Sequence, residues 1–193
     1  MRRARNACCL AEPRREIQDF QRMIQRLRVP MGFAIAAAVL YVAKPTGTLI
    51  LAGLPVALLG VILRAMAAGV IRKDATLTTA GPYAWTRNPL YLGSFILGLG
   101  FAVMSGSWLA SALIILPSFV IYPNVINKEE THLQRLFPAE FREYCTKVPR
   151  FFPRFRSGPA SFSLKQYLAN REYQTALGFG AMLAIFMLKW RLI

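Results

Sequence analysis

Ala80-Gly81-Pro82-Tyr83-Ala84-Trp85-Thr86-Arg87-Asn88-Pro89-Leu90-Tyr91-Leu92-Gly93 is a polar, turn-rich link between two apolar runs. Its two prolines and two glycines punctuate any helix that enters it. Before the link, Thr48 to Ile71 is long enough, at about 1.5 Å per residue, to cross about 30 Å of hydrocarbon. After it, Leu90 to Met104 is shorter, and Ser105-Gly106-Ser107 turns the chain straight back into Trp108 to Ile126. A polar link among membrane-sized apolar runs predicts an all-α integral membrane protein.

Outward from the link, two further runs extend the pattern. Val29 to Val42 carries Pro30 near a helix start and ends in the tight turn Lys44-Pro45-Thr46-Gly47. Gln174 to Leu188 is followed by Lys189-Trp190-Arg191, an interfacial anchor. The expectation is therefore about five transmembrane helices. Residues 1–28 carry eight arginines, while Ile17, Phe20, Ile24 and Leu27 recur on one helical face. This predicts an N-terminal interfacial helix on anionic membrane lipids.

The chain is 55% hydrophobic, with a mean hydropathy of +0.37 and a formal charge of +15. So basic a composition suggests nucleic acid first, but the apolar runs assign the charge to segments flanking membrane helices, so no nucleic-acid partner is expected. With five runs, the segments 1–28, 72–89 and 127–171 share one side and hold 20 of the 24 Lys and Arg. The positive-inside rule then puts the N-terminus, the link and segment 127–171 in the cytoplasm. Three cysteines without CxxC spacing support neither a zinc site nor a disulfide framework.

Chemistry-bearing residues gather in three places. Glu129-Glu130 follows the fourth run; Asn127-Lys128-Glu129-Glu130 also fits a capping box, with a new helix starting there. Two carboxylates at the mouth of an apolar bundle suit an ammonium or sulfonium centre. In the link, Arg87 can pair with a carboxylate, Asn88 both donates and accepts, and Pro89 opens a helix. Tyr83, Trp85 and Tyr91 offer flat faces, and Gly81 and Gly93 permit close backbone approach, Gly93 alternatively for helix packing with Gly98 and Gly100. The third place is Tyr144 to Pro153, which mixes cations and aromatics. Arg64, a charge inside the second run, is a candidate to face the site or to snorkel to the basic helix end. His132, the one histidine, reads as an exposed helix residue.

Gly81-Pro82-Tyr83 and Arg87-Asn88-Pro89-Leu90-Tyr91-Leu92-Gly93 resemble the first signature of the isoprenylcysteine carboxyl methyltransferase and phospholipid methyltransferase superfamily. Glu129-Glu130, followed by Leu133, Phe137, Tyr144, Val148-Pro149-Arg150 and Pro153, is similar to the second. Asn88 stands where histidine is frequent; it hydrogen-bonds but does not titrate. The resemblance implies a membrane enzyme with a cytoplasmic site for S-adenosylmethionine and a lipophilic acceptor, either a prenylcysteine-like carboxylate or a phospholipid amine. It implies a cofactor site from Tyr83, Arg87, Asn88, Pro89, Tyr91, Gly93, Glu129, Glu130, Val148, Arg150 and Phe152. Glu129, Glu130 and Arg87 are the expected catalytic set, with Glu130 the base for an amine; Arg64 and Trp85 are expected toward the acceptor.

Under this reading residues 1–28 are a basic interfacial segment, 29–171 the methyltransferase core and 172–193 an additional transmembrane helix. The membrane would be a bacterial inner membrane or resemble the endoplasmic reticulum. Two rival readings are an NADPH-dependent sterol-reductase-like enzyme, which usually carries an acid where Ser94 stands, and a non-enzymatic lipid-binding membrane protein.

Overall fold

A computed structural model describes residues 32, 34–72, 75–155 and 161–192. The interfacial helix expected in residues 1–28 lies outside them. The helices are α1 (34–42), α2 (Gly47–Val70), α3 (Pro82–Trp85), α4 (Pro89–Met104), α5 (Trp108–Leu136), α6 (Pro138–Lys147), α7 (Leu164–Ala169) and α8 (Tyr173–Leu192). Every regular element among the described residues is helical.

Local chemistry sets the helix ends. Thr46 caps α2, its Oγ1 accepting from the Leu49 amide at 3.3 Å. Ser107 caps α5 in the same way, accepting from Ala110. Pro89 and Pro138 each occupy a first helical turn, where a missing N–H costs nothing. Gly106 adopts a positive φ of 60°, and the Lys44 carbonyl lies where a side chain would stand. Only glycine closes that turn without strain.

The bundle is organised on a seam between α2 and α4. Gly53, Ala57 and Gly60 of α2 meet Gly93 and Gly100 of α4 so closely that an added Cβ would strike backbone. At Gly60 it would lie 2.4 Å from the Leu97 nitrogen, and at Gly100 2.4 Å from the Ala57 nitrogen. Small residues at helical spacing let the two backbones touch, which is how packing is gained where lipid offers no hydrophobic drive. Gly93 therefore serves packing. Gly98 does not join this seam; its nearest neighbour is the Ile114 side chain at 3.4 Å.

The outward surface is apolar: Leu51, Leu116, Phe119, Val120 and Leu177 are all more than 60% exposed. Contiguous exposed apolar helix suits a hydrocarbon solvent. Among the described residues three helices, α2, α5 and α8, are long and apolar enough to span. The expected count of about five is not met. α4 has 16 residues, roughly 24 Å, which falls short of a hydrocarbon core of about 30 Å. The described part of the first run is helical only at residue 32 and over 34–42.

A second correction concerns α5. It runs 29 residues without a break through Pro117 and Pro123, so Asn127 is mid-helix and caps nothing. About 20 residues fill the hydrocarbon, so a helix entering at Trp108 leaves it near Asn127. The remaining turns project beyond, carrying Lys128 to Arg135 with the acidic pair. The chain then breaks at Phe137, before Pro138.

The two ends of the bundle differ. At one end the 43–46 turn meets the 105–107 turn, with the Lys44 amide on the Ser105 carbonyl at 2.7 Å. Lys189 of α8 also reaches there, donating to the Leu40 and Tyr41 carbonyls. At the other end lie the link, the α5 extension and residues 148–155.

Candidate functional site

The link is held in shape by the segment that follows α6. The Arg87 amide donates to the Pro149 carbonyl and the Arg154 amide to the Trp85 carbonyl, both at 2.9 Å. Thr86, fully buried, donates from Oγ1 to the Arg150 carbonyl at 3.2 Å. Tyr144 donates to the Tyr83 carbonyl at 2.7 Å. Gly81 makes the entry turn at φ 60°. Two stretches some sixty residues apart thus form one rigid wall.

A cavity of about 540 Å³ opens between this wall and the α5 extension. It is lined by Tyr83, Arg87, Asn88, Pro89, Leu90 and Tyr91 from the link and α4, and by Lys128, Glu129, Glu130, His132 and Leu133 from α5. Phe141 and Tyr144 of α6, Arg64 of α2, Ile71 at its end and Val125 of α5 complete it.

Its charges are paired. Glu130 Oε1 lies 3.6 Å from Arg87 Nε, and Oε2 lies 3.2 Å from Arg150 Nε. Arg150 also donates to Asn127 Oδ1, and Arg87 to the Cys145 sulfur. Asn88, 6% exposed, donates from Nδ2 to the Arg150 carbonyl at 2.9 Å and to Glu130 Oε1 at 3.4 Å. One amide nitrogen with two protons bridges both partners. The Tyr91 hydroxyl donates to Glu129 Oε1 at 2.6 Å, and its ring meets that of Tyr122 at 5.5 Å. Arg64 binds Glu172 through both carboxylate oxygens, at 2.6 and 3.0 Å.

Three buried donors lack a hydrogen-bond partner among the described residues: the Tyr83 hydroxyl, Arg87 Nε and Arg150 Nε. Burial pushes the Tyr83 phenol well above its ordinary value, with Tyr144 and Glu129 adding to the effect. Burial raises Tyr144 likewise, opposed by Arg87. Both hydroxyls therefore stay protonated and available as donors. Tyr144→Phe strands the buried Tyr83 carbonyl and is expected to destabilise the protein by about 1–3 kcal/mol. Thermal unfolding in detergent checks this.

Of the residues expected at the site, Tyr83, Arg87, Asn88, Pro89, Tyr91, Glu129, Glu130 and Arg64 line the cavity. Five do not. Gly93 sits in the α2–α4 seam. Val148 is buried with Phe141 and Tyr144. Arg150 stands behind Glu130 and pairs with it. Phe152 is 82% exposed, and Trp85 turns its ring to Phe155. Alternation of contacts along 148–153 is set by its pairing with the link, which no local pattern announces. Sequence reasoning missed Lys128 and Glu172 and set His132 aside. Glu172 had a signal: it is the one acidic residue after Glu143, as Arg64 is the one charge within α2.

The fold and this cavity define an all-α integral membrane protein with a pocket at one end of its bundle, lined by apolar side chains and by charged groups of both signs. Residues 65–140, which contain the link and the acidic pair, match the family described as phospholipid methyltransferase. The chain is 42% identical over 83 residues to the cobalt-zinc-cadmium resistance protein CzcN of Cupriavidus metallidurans, covering 43% of this chain and 38% of that protein. It is 42% identical over 89 residues to the nickel-cobalt-cadmium resistance protein NccN of Alcaligenes xylosoxydans xylosoxydans, covering 45% and 41%. It is 35% identical over 81 residues to protein-S-isoprenylcysteine O-methyltransferase of Schizosaccharomyces pombe, covering 42% and 34%. The chain thus spans well under half the length of these relatives. No solved structure matches. Homology over this part of the chain supports the superfamily and does not choose among its branches.

Proposed function

We propose that this protein transfers a methyl group from S-adenosylmethionine to a lipophilic acceptor at the cytoplasmic membrane face. The observation that carries this reading is the convergence of Arg87, Asn88, Tyr91, Glu129 and Glu130 on one cavity, all within the stretch that matches the family.

The residues fit the cofactor. A volume of about 540 Å³ lies within the range of roughly 300–1,000 Å³ common for small-molecule sites. The Tyr83 hydroxyl, and Arg87 Nε, which faces Glu130 at 3.6 Å without a hydrogen bond, offer donors to a carboxylate, while Glu129, with one oxygen taken by Tyr91, offers the other to an ammonium. The cofactor supplies a methyl group on a sulfonium, which leaves by in-line displacement, so the protein's work is placement and charge. In this reading Arg87 and Asn88 hold the methionine end, and Glu130, gripped by two guanidinium groups, braces them. The acceptor is a prenylcysteine-like carboxylate or a phospholipid amine. An amine has to lose a proton. Glu130 is the candidate base for that proton, directly or through a water. Residues 29–171 would form the core and 172–193 an additional helix, in a bacterial inner membrane or one like the endoplasmic reticulum with the N-terminus cytoplasmic.

Saturation binding of S-adenosylhomocysteine to the purified protein tests the cofactor. Mass spectrometry of lipid extracts incubated with methyl-labelled S-adenosylmethionine tests the acceptor. We expect micromolar binding and one labelled lipid class. Tight NADPH binding without S-adenosylhomocysteine binding would move the protein to the reductase reading. Absence of both would leave a lipid-binding protein.

A further inference from the structure

A second cavity, of about 320 Å³, lies on the α5 extension beside the first. It is lined by Asn127, Lys128, Thr131, His132 and Arg135, and Lys128 and His132 line the first cavity as well. The two spaces therefore share a wall. Spacings of three and four among 128, 131, 132 and 135 put these side chains on one face of the helix. The chemistry of the two cavities differs. The first holds Glu129 and Glu130, whereas the two permanently charged side chains of the second, Lys128 and Arg135, are both cations.

The acids next to these cations do not neutralise them. Glu130 faces Arg87 and Arg150, and Glu129 accepts from Tyr91. Asn127 Oδ1 is engaged by Arg150. Among the described residues neither Lys128 nor Arg135 forms an ion pair. Depth gives the pair a natural counter-ion. The helix leaves the hydrocarbon near Asn127, and a head-group layer of about 5–7 Å follows on each side of a bilayer. At 1.5 Å per residue, Lys128 stands about 1.5 Å and His132 about 7.5 Å beyond that boundary. Arg135 starts about 12 Å out, but helical side chains lean toward the N-terminus of their helix, here back toward the membrane. Lipid phosphates lie in that layer.

We propose that Lys128 and Arg135 form an anion subsite for the acceptor, holding the phosphodiester of an amine-bearing phospholipid while its amine reaches across the shared wall toward Glu130. This rests on the methyltransferase reading and chooses the phospholipid amine from its two acceptors. The choice follows from charge. A phospholipid amine carries a fixed anion and, one short linker away, the group to be methylated, so it fills both cavities at once. A prenylcysteine-like carboxylate carries a single anion, which is itself the group to be methylated. A separate cationic cavity would hold that anion away from the methyl donor. The two cations also differ in use: the arginine fork fits two phosphate oxygens, and the lysine adds a point charge beside the first cavity.

The test measures lipid affinity on the full-length protein in neutral detergent, by displacement of a fluorescent lipid. Two probes share dioleoyl chains and a primary amine: dioleoyl phosphatidylethanolamine, and a dioleoyl glycerol amine that lacks the phosphate. Wild type should bind the first about tenfold tighter or more, the scale of a charge-assisted hydrogen bond. Lys128→Gln with Arg135→Gln should abolish that preference without weakening binding of the phosphate-free amine. Lys128→Arg with Arg135→Lys keeps both charges and should keep most of it. The proposal is overturned if wild type binds the two amines within about twofold of each other. It is equally overturned if the double glutamine variant, monodisperse and folded, keeps the preference or weakens both probes alike. Should that variant not fold, Arg135→Gln alone serves, with an expected loss of about threefold for phosphatidylethanolamine only. Inorganic phosphate separates the two sources of the anion: displacement of phosphatidylethanolamine by less than about 1 mM phosphate would make this a site for a soluble anion and overturn the lipid assignment. S-adenosylhomocysteine binding to wild type is measured separately. Its absence sinks the methyltransferase reading, whereas absence of the phosphate preference sinks this one.

Discussion

Arg87→Ala is expected to weaken S-adenosylhomocysteine binding by about two orders of magnitude while the protein stays folded. The separation is possible because Arg87 does two jobs through different atoms. Its backbone amide ties the link to Pro149 at 2.9 Å, and alanine keeps that bond. Its guanidinium supplies the buried Nε donor, the contact to Cys145 and one of the two cations on Glu130. Hydrogen bonds to charged groups are worth about 1.5–3 kcal/mol each, or one to two decades in affinity. Alanine also leaves Glu130 leaning on Arg150 alone among its described cationic partners, which loosens the wall that Asn88 bridges. Arg87→Lys should recover part of the loss, since it restores charge without the planar fork. Saturation binding with a parallel melting curve checks both. Binding within threefold of wild type for Arg87→Ala would remove Arg87 from the site.

Gly100→Leu is expected to cost at least about 3 kcal/mol, the upper end for overpacking, or to yield no folded protein. An added Cβ meets the Ala57 nitrogen at 2.4 Å, the Ala57 Cβ at 2.6 Å and the Ala57 Cα at 2.7 Å. Those are backbone atoms and a first side-chain carbon, so nothing can swing aside; α2 and α4 have to part. Parting them moves Arg64 from Ser94 and the Leu90 carbonyl and so opens the cavity as well. Gly98→Leu, two residues earlier, is the control. Its nearest neighbours are side-chain atoms of Ile114 and Ile115 at 3.4 and 3.8 Å, and the cost should stay near 1 kcal/mol. Thermal unfolding in detergent separates them. Equal stability of the two variants would deny the seam its place at the centre of the fold.

Much of the link was legible because its chemistry is local. Proline at a first helical turn, glycine at a positive φ and cap residues such as Thr46 and Ser107 act within four residues of themselves, and the predicted ends of α2, α4 and α8 fall within a few residues of the observed ones. The α5 extension was misjudged because a capping box is a short pattern, and a helix already propagating passes through it more cheaply than a new one starts. Among the described residues three spans are found rather than about five, because hydropathy identifies an apolar run, whereas the length of a helix depends on where its ends are satisfied.

The sequence by itself determined that the protein is an all-α membrane protein with a polar link and an acidic pair, because apolar period, charge asymmetry and turn residues are properties of neighbours along the chain. Tertiary structure alone decided which of those residues share a cavity. Val148 packs against α6 and Arg150 stands behind Glu130 because the 148–155 segment pairs with the link. Gly93 was claimed by helix packing because Gly60 faces it. Glu172 comes to Arg64 across more than a hundred residues because two lone charges in apolar surroundings are stable only together.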